Sequence, residues 1–173
     1  MSKCRKLSYI AIIIIVIAII IVSLSYLTNN DNNNLNKRNV ELSGEEVKIN
    51  GLKTLIPESY QDGEIVEKPG INTYQTKNGS IYVTVYNNSK DGDNVYNGDM
   101  DYFAYGKSNE DKLLKRENIT INGYEVLYVS QYSKLRGNYR LAFFKAKDKR
   151  IMIEWVGDSL SSDIENIILG FYR

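Results

Sequence analysis

Six oxygen-bearing side chains crowd one stretch of this sequence. Asp91, Asp93, Asn94, Asn97, Asp99 and Asp101 all fall within KDGDNVYNGDMD, residues 90–101. Carboxylate and amide oxygens at alternate positions are the ligand set that Ca²⁺ takes. The stretch departs from an EF-hand loop. Tyr96 stands where the loop glycine is required, and no bidentate Glu lies six residues beyond it. Asp, Asn and Gly also crowd ordinary turns, because they tolerate left-handed φ or bond their own backbone. The stretch reads as a polar loop. Asp91, Asp93, Asp99 and Asp101 are candidate metal ligands in it, and a plain solvated turn is the competing reading.

For covalent or acid–base chemistry the choice of groups is narrow. The 173 residues include no His and one Cys. There is thus no Ser-His-Asp triad, no Cys-His pair and no imidazole metal ligand. One Cys permits no intramolecular disulfide and no thiolate cluster. Neither Ser-x-x-Lys nor Gly-x-Ser-x-Gly occurs. Carboxylates remain. Glu125, Glu154 and Asp158 lie near expected strands. A glycosidase needs two facing carboxylates about 5–10 Å apart, and nothing in the sequence pairs these. No catalytic residue, no cofactor and no enzymatic activity are therefore expected.

Three further groups of residues could recognise a partner. Tyr82, Tyr86, Tyr124, Tyr128, Tyr132 and Tyr139 fall on expected strands. An exposed row of them would suit a glycan or a protein, and half-buried strand positions would use the same residues. Lys145, Lys147, Lys149 and Arg150 form a basic hairpin tip. It could meet anionic headgroups, or charge a sheet edge against strand addition. Asn78, Asn87 and Asn118 each open an Asn-x-Ser/Thr sequon. An Asn-rich chain also generates such triplets by chance.

Positioning these groups falls to a chain with two different solvents. Residues 7–27, LSYIAIIIIVIAIIIVSLSYL, carry no charge, and nine of the 21 are Ile. As a helix this run is about 31 Å long, close to the hydrocarbon thickness of a bilayer. In lipid every backbone group must be paired internally, so the β-branched run is forced into a helix. Tyr9 and Tyr26 sit near both interfaces. Lys3, Arg5 and Lys6 form a short basic tail, residues 1–6, while Lys37 and Arg38 come about ten residues beyond the run. That bias sets the N-terminus in the cytoplasm and the rest outside. A cleaved signal peptide is the competing reading, with Ser23-Leu24-Ser25 as a cleavage site. The length of the apolar run favours an uncleaved anchor. Cys4 precedes the run, so it is not a lipoprotein cysteine.

Residues 28–39 read TNNDNNNLNKRN, with seven Asn in twelve. They cannot bury enough apolar area to offset ordering, so a flexible spacer of roughly 20 Å is expected. Residues 40–173 then form one extracytoplasmic domain. It holds seventeen Lys and Arg against twenty Asp and Glu. Near-neutral charge argues against a nucleic-acid partner.

Within the domain, residues 46–57 suggest a hairpin around Asn50-Gly51, and Ile65-Val66 a short strand. Asn78-Gly79 reads as a type I′ pair between two strands. Ile81, Val83 and Val85 face one side while Tyr82, Thr84 and Tyr86 face the other, as in a central strand covered on both sides. Short helices are expected over 100–105 and 110–116. A second hairpin follows around Asn122-Gly123. Next come a strand over 139–147, a turn at Asp148-Lys149 and a strand over 150–156. Ser162 and Glu165 suggest a capping box, and Ile164, Ile167, Ile168 and Phe171 give a helix with one apolar face. The fold class is α+β: a mostly antiparallel sheet of five to seven strands with the C-terminal amphipathic helix packed on it, preceded by one transmembrane helix.

Two motifs carry a resemblance. Leu55-Ile56-Pro57-Glu58-Ser59-Tyr60 resembles the Ile-Pro-x-Gly-aromatic opening strand of PsbP/Mog1-type domains, with Ser59 where that family often has Gly. Ile119-Thr120-Ile121-Asn122-Gly123-Tyr124 resembles their Ile-x-Ile-x-Gly strand entry. The likeness extends over residues 46–171. It implies an antiparallel sheet flanked by helices and an accessory or binding role, and it transfers no catalytic residue.

These features lead to one expectation: a single-pass, membrane-anchored extracytoplasmic binding or accessory module. Its partners would be the bilayer, through residues 7–27, and a protein or cell-envelope component. A carboxylate-based hydrolase of cell-envelope polymer is the alternative from another class, and a ligand-free stalk domain is the third.

Overall fold

The computed structural model describes residues 41–107 and 110–173. The expected basic tail, membrane segment and Asn-rich spacer lie outside the described residues. Among the described residues no helix is long and apolar enough to cross a membrane.

The chain opens with a hairpin, β1 (Glu45–Ile49) and β2 (Leu52–Ile56), which forms a sheet of its own. Asn50 and Gly51 both take positive φ, 47° and 80°. This is the type I′ geometry that matches strand twist. After a 3₁₀ turn at Glu58–Tyr60 come β3 (Gly63–Lys68), β4 (Ile71–Thr76) and β5 (Ile81–Tyr86). Helix α1 (Lys90–Asp99) continues into a π-helical turn, Met100–Ala104. Then follow β6 (Asp111–Ile121), β7 (Tyr124–Ser133), β8 (Gly137–Ala146), β9 (Lys149–Val156) and α2 (Ser162–Gly170). Strands β3 to β9 form one antiparallel sheet in the order β3-β4-β5-β9-β8-β7-β6. It consists of two meanders, β3-β4-β5 and β6-β7-β8-β9, joined by the single non-local pairing of β5 with β9.

The two faces of the sheet are covered unequally. On one face α2 and the β1–β2 hairpin pack over Ile81, Val83, Val85, Ile151, Ile153 and Trp155. Ile164, Ile167 and Ile168 of α2 and Phe171 at its C-cap are fully buried there. Each contributes about 1.5–3 kcal/mol by leaving water. Thr54 Oγ1 donates to the Ile167 carbonyl at 2.6 Å, which ties α2 to β2. On the other face Tyr86, Val129, Tyr139, Leu141, Phe143 and Met152 pack under Val95, Tyr96, Met100 and Phe103 of α1 and the π turn. This cover reaches Ile71 at the start of β4 and leaves a cleft lined by residues of β3, β4 and β5.

Several local expectations are corrected. The expected polar loop over 91–101 is α1. Ser89 caps it by accepting from Gly92 N at 3.1 Å, and Asp91 and Asp93 sit in the first turn, where the helix dipole favours acids. The expected helix over 110–116 is the start of β6, paired with β7 from Asp111 and bulged between Leu113 and Lys115. Its charged side chains suit an exposed edge strand. The Asn78-Gly79 pair is not type I′, since only Gly79 has positive φ, 67°. The loop there is four residues long and closes through Gly79 N to Thr76 O at 3.0 Å. Asn78 Oδ1 accepts from Ser80 N at 2.9 Å. Ala146 pairs with Lys149, so the last tight turn is Lys147-Asp148, one residue earlier than expected. The N-cap of α2 is Ser161, whose side chain accepts from Ile164 N, and not Ser162.

Candidate functional site

Where α1 and the π turn leave the sheet bare, a cleft of about 330 Å³ opens. Strand register builds its floor. Thr73, Thr84 and Met152 form one cross-strand row, and Gln75, Tyr82 and Glu154 form the next. Alternation puts all six on the same face, opposite the buried Val83, Val85 and Ile153. Val66, Lys68 and Ile71 close one side, Asp99 and Phe103 the helical side, and Arg136 the end.

The charged groups of the cleft are held by the fold. Arg136, in the β7–β8 turn, donates to Glu154 Oε1. Its guanidinium also lies over the ring of Tyr139. The Glu154 side chain is only 10% exposed while that of Arg136 is 37% exposed, so the pair reaches from the sheet floor to solvent. Burial pushes the Glu154 carboxyl above its usual range, and Arg136 opposes this. Asp99 accepts from Tyr86 Oη at 2.7 Å. Burial raises Asp99 as well, against that hydrogen bond. Tyr86 is fully buried, and burial followed by the neighbouring Asp99 pushes its hydroxyl strongly up, so it remains a donor.

A buried polar network fixes the wall. Gln131, fully buried, donates through Nε2 to the Phe103 carbonyl at 2.5 Å, and its Oε1 meets the Tyr139 hydroxyl. Tyr139 Oη donates to Asp111 Oδ2 at 2.9 Å, and Tyr102 Oη to the same oxygen at 3.1 Å. The π turn is thereby bonded to β6 and β7, and through Asp111 and Gln131 the network continues to Tyr139 of β8. Phe103 has a defined position at the cleft edge because its own carbonyl is held.

The candidate metal ligands do not share a site. Alternate positions on a helix point to opposite sides. Asp91 is exposed at the start of α1, and Asp93 pairs with Arg150. Asp99 turns into the cleft, and Asp101 pairs with Lys107 at 2.8 Å. Among the described residues no group of three or more His, Cys, Asp or Glu side chains comes together as metal ligands would.

The tyrosines do not make one row either. Tyr86 and Tyr139 are buried, Tyr82 borders the cleft, and Tyr132 is exposed. Tyr124 stacks on Tyr172 with centroids 3.6 Å apart, and Tyr128 leans on Trp155, both on the α2 side. The basic hairpin tip joins β8 to β9, which are internal strands, so it guards no sheet edge. Lys149 donates to the Asn50 carbonyl at 2.6 Å and Arg150 lies 4.6 Å over Tyr96, leaving Lys145 and Lys147 exposed. Of the strand carboxylates, Glu154 alone lines the cleft. Glu125 is exposed on β7, and Asp158 accepts from Asn138 at 3.1 Å. Asn78 and Asn118 are exposed, while Asn87 is half-buried against the Asn50 side chain.

No family model matches this sequence, and no curated protein does. Eleven solved chains match its fold. Cyanobacterial PsbP (CyanoP) from Synechocystis sp. is one. It is 11% identical, with a TM-score of 0.43, over 76% of this chain and 93% of its own. A protein of unknown function from Pseudomonas aeruginosa is another. It is 16% identical, with a TM-score of 0.32, over 64% of this chain and 79% of its own. A PsbP chain thus stands among the similar structures.

Proposed function

We propose that this chain is a membrane-anchored extracytoplasmic binding or accessory module without catalytic activity, and that its ligand seat is the cleft over β3, β4, β5 and β9. The observation that carries this reading is the way three of the cleft's four charged side chains are committed. Arg136 is bound to Glu154 and stacked on Tyr139, and Asp99 is bound to Tyr86. Groups fixed in advance by partners suit recognition, because little ordering remains to be done on binding. The uncharged 21-residue run and the basic tail before it support the membrane anchor, with the N-terminus in the cytoplasm.

Two measurements test this. External protease on intact cells is expected to strip the domain, and a C-terminal tag that stays protected would overturn the topology. In-cell crosslinking of the tagged full chain, with mass spectrometry of membrane complexes, reads the partner. One near-stoichiometric protein would make this an accessory subunit.

A second reading has its own observation. Asp99 and Glu154 line one cleft, and burial raises both carboxyls toward the range of a general acid. Two carboxyls in one cleft are what a carboxylate-based hydrolase of cell-envelope polymer would need. Release of reducing ends from purified polymer by the full chain, abolished by both Asp99→Asn and Glu154→Gln, would establish it over the binding reading.

A further inference from the structure

We infer that the cleft takes an uncharged, hydroxyl-rich ligand, a neutral saccharide of one or two rings. This rests on the cleft being the ligand seat, and it names the chemistry of what sits there.

Charge selects first. Lys68 and Arg136 bring two positive groups and Asp99 and Glu154 two negative ones. A phosphate or a carboxylate ligand would approach two acids. A polyamine would approach two cations. Either would give up hydration without matched compensation. A neutral ligand meets no such opposition.

Hydrogen-bonding capacity selects next. Tyr82 presents a hydroxyl that both donates and accepts, Gln75 presents both functions on one amide, and Thr73, whose hydroxyl shares one hydrogen bond of 3.0 Å with the buried Thr84, keeps further capacity toward the cleft. Arg136 has five N–H donors, and each carboxylate has about four acceptor sites, of which the internal bonds use a part. A sugar hydroxyl donates once and accepts as well, so it needs neighbours of both kinds. Here they alternate across a flat floor. The row of Thr73 and Thr84 and the row of Gln75, Tyr82 and Glu154 lie two residues apart along the strands, about 6.8 Å. One pyranose ring reaches from one row to the other.

Apolar surface completes the match. Phe103 is an aromatic group at the cleft edge, Val66 and Ile71 are apolar groups of its side, and Met152 continues the row of Thr73 and Thr84. A pyranose has a C–H face that packs on such groups while its hydroxyls bond in the plane. The volume, about 330 Å³, lies at the lower end of the usual small-molecule range of about 300–1,000 Å³.

The test is two-dimensional NMR of the ¹⁵N-labelled full chain in phosphatidylcholine nanodiscs. The probes are maltose, cellobiose and N,N′-diacetylchitobiose, with inorganic phosphate and spermine as charged controls. At least one disaccharide is expected to shift the amides of Thr73, Gln75, Tyr82, Thr84 and Met152 in a saturable way. Gln75→Ala and Thr73→Val, checked for unchanged melting, are each expected to weaken that binding about tenfold. Shifts at these amides with phosphate or spermine, and none with a sugar, would overturn the ligand class while leaving the cleft as the seat. Silence at these amides with every probe, together with a crosslinked protein on another face, would overturn both. Sugar-induced shifts confined to residues outside the cleft would overturn the inference as well.

Discussion

The guanidinium of Arg136 lies 4.1 Å above the ring centroid of Tyr139 while it donates to Glu154. The ring holds the cation in place, and the cation holds the acid. Removing Arg136 should therefore be read at Glu154. In Arg136→Ala the Glu154 carboxyl loses the group that opposes its burial. Its pKa is expected to rise further, visible as a later titration of the side-chain carboxyl carbon by NMR. Stability should fall by about 1–3 kcal/mol, less than for a fully buried pair because Arg136 is 37% exposed.

Asp99 gives a pH dependence of definite sign. Its carboxyl is raised by burial, so the folded chain holds this proton at pH values where the unfolded chain has released it. The stabilisation is complete below the unfolded value of about 4 and is lost as pH rises through the folded value. Asp99→Asn keeps an oxygen for Tyr86 and carries no charge. Its melting temperature should match the parent's in acid and exceed it increasingly toward neutral pH. Equal melting at pH 7 would contradict this account.

Gly170 reads out how closely α2 approaches β2. A Cβ there would sit 2.6 Å from Thr54 Oγ1 and 2.7 Å from Leu55 N. The second contact is backbone and cannot swing aside. Alanine should gain helix propensity of up to about 1 kcal/mol yet displace the helix. A net loss of about 1–3 kcal/mol is expected from chemical denaturation, because overpacking outweighs propensity.

Ser89 tests the cleft wall. Its hydroxyl accepts from Gly92 N at the start of α1. Ser89→Ala should lower helix stability by about 0.5–2 kcal/mol. Hydrogen exchange should then quicken over residues 90–104 while α2 stays protected. Equal acceleration in both helices would mean that α1 does not open on its own.

The sequence shows clearly those elements whose apolar pattern matches their local geometry. Ile81, Val83 and Val85 against Tyr82, Thr84 and Tyr86 announce a strand with two covered faces, and Ile164, Ile167, Ile168 and Phe171 announce a helix docked on the sheet. Helix α1 is not legible, because its Asp, Asn and Gly residues favour turns on their own. Val95, Tyr96, Met100 and Phe103 supply tertiary contacts that override this. The start of β6, DKLLKRE, has the charge spacing of a helix, and only its pairing with β7 settles it as a strand.

The site divides in the same way. Glu154 could be picked out as a strand carboxylate, and Asp99 only as part of a supposed cation loop. Arg136 gave no signal, since a turn residue becomes a site residue only through Tyr139 and Glu154 beside it in space. Thr84 is legible as sharing a strand face with Tyr82 and Tyr86, but its pairing with Thr73 beside an open cleft follows only from the strand register and from where α1 ends.

The join between β5 and β9 bears on how the chain comes together. Every other pairing in the large sheet links neighbours in sequence, so each meander can close over short loops early in folding. Bringing residues 81–85 against 151–155 closes the longest loop and belongs late. The cleft straddles that junction, with Thr73, Gln75, Tyr82 and Thr84 on the first meander and Arg136, Met152 and Glu154 on the second. Any molecule seated there would grip both halves of the chain at once. Occupancy would slow their parting, so the unfolding rate itself becomes a gauge of whether the cleft is filled.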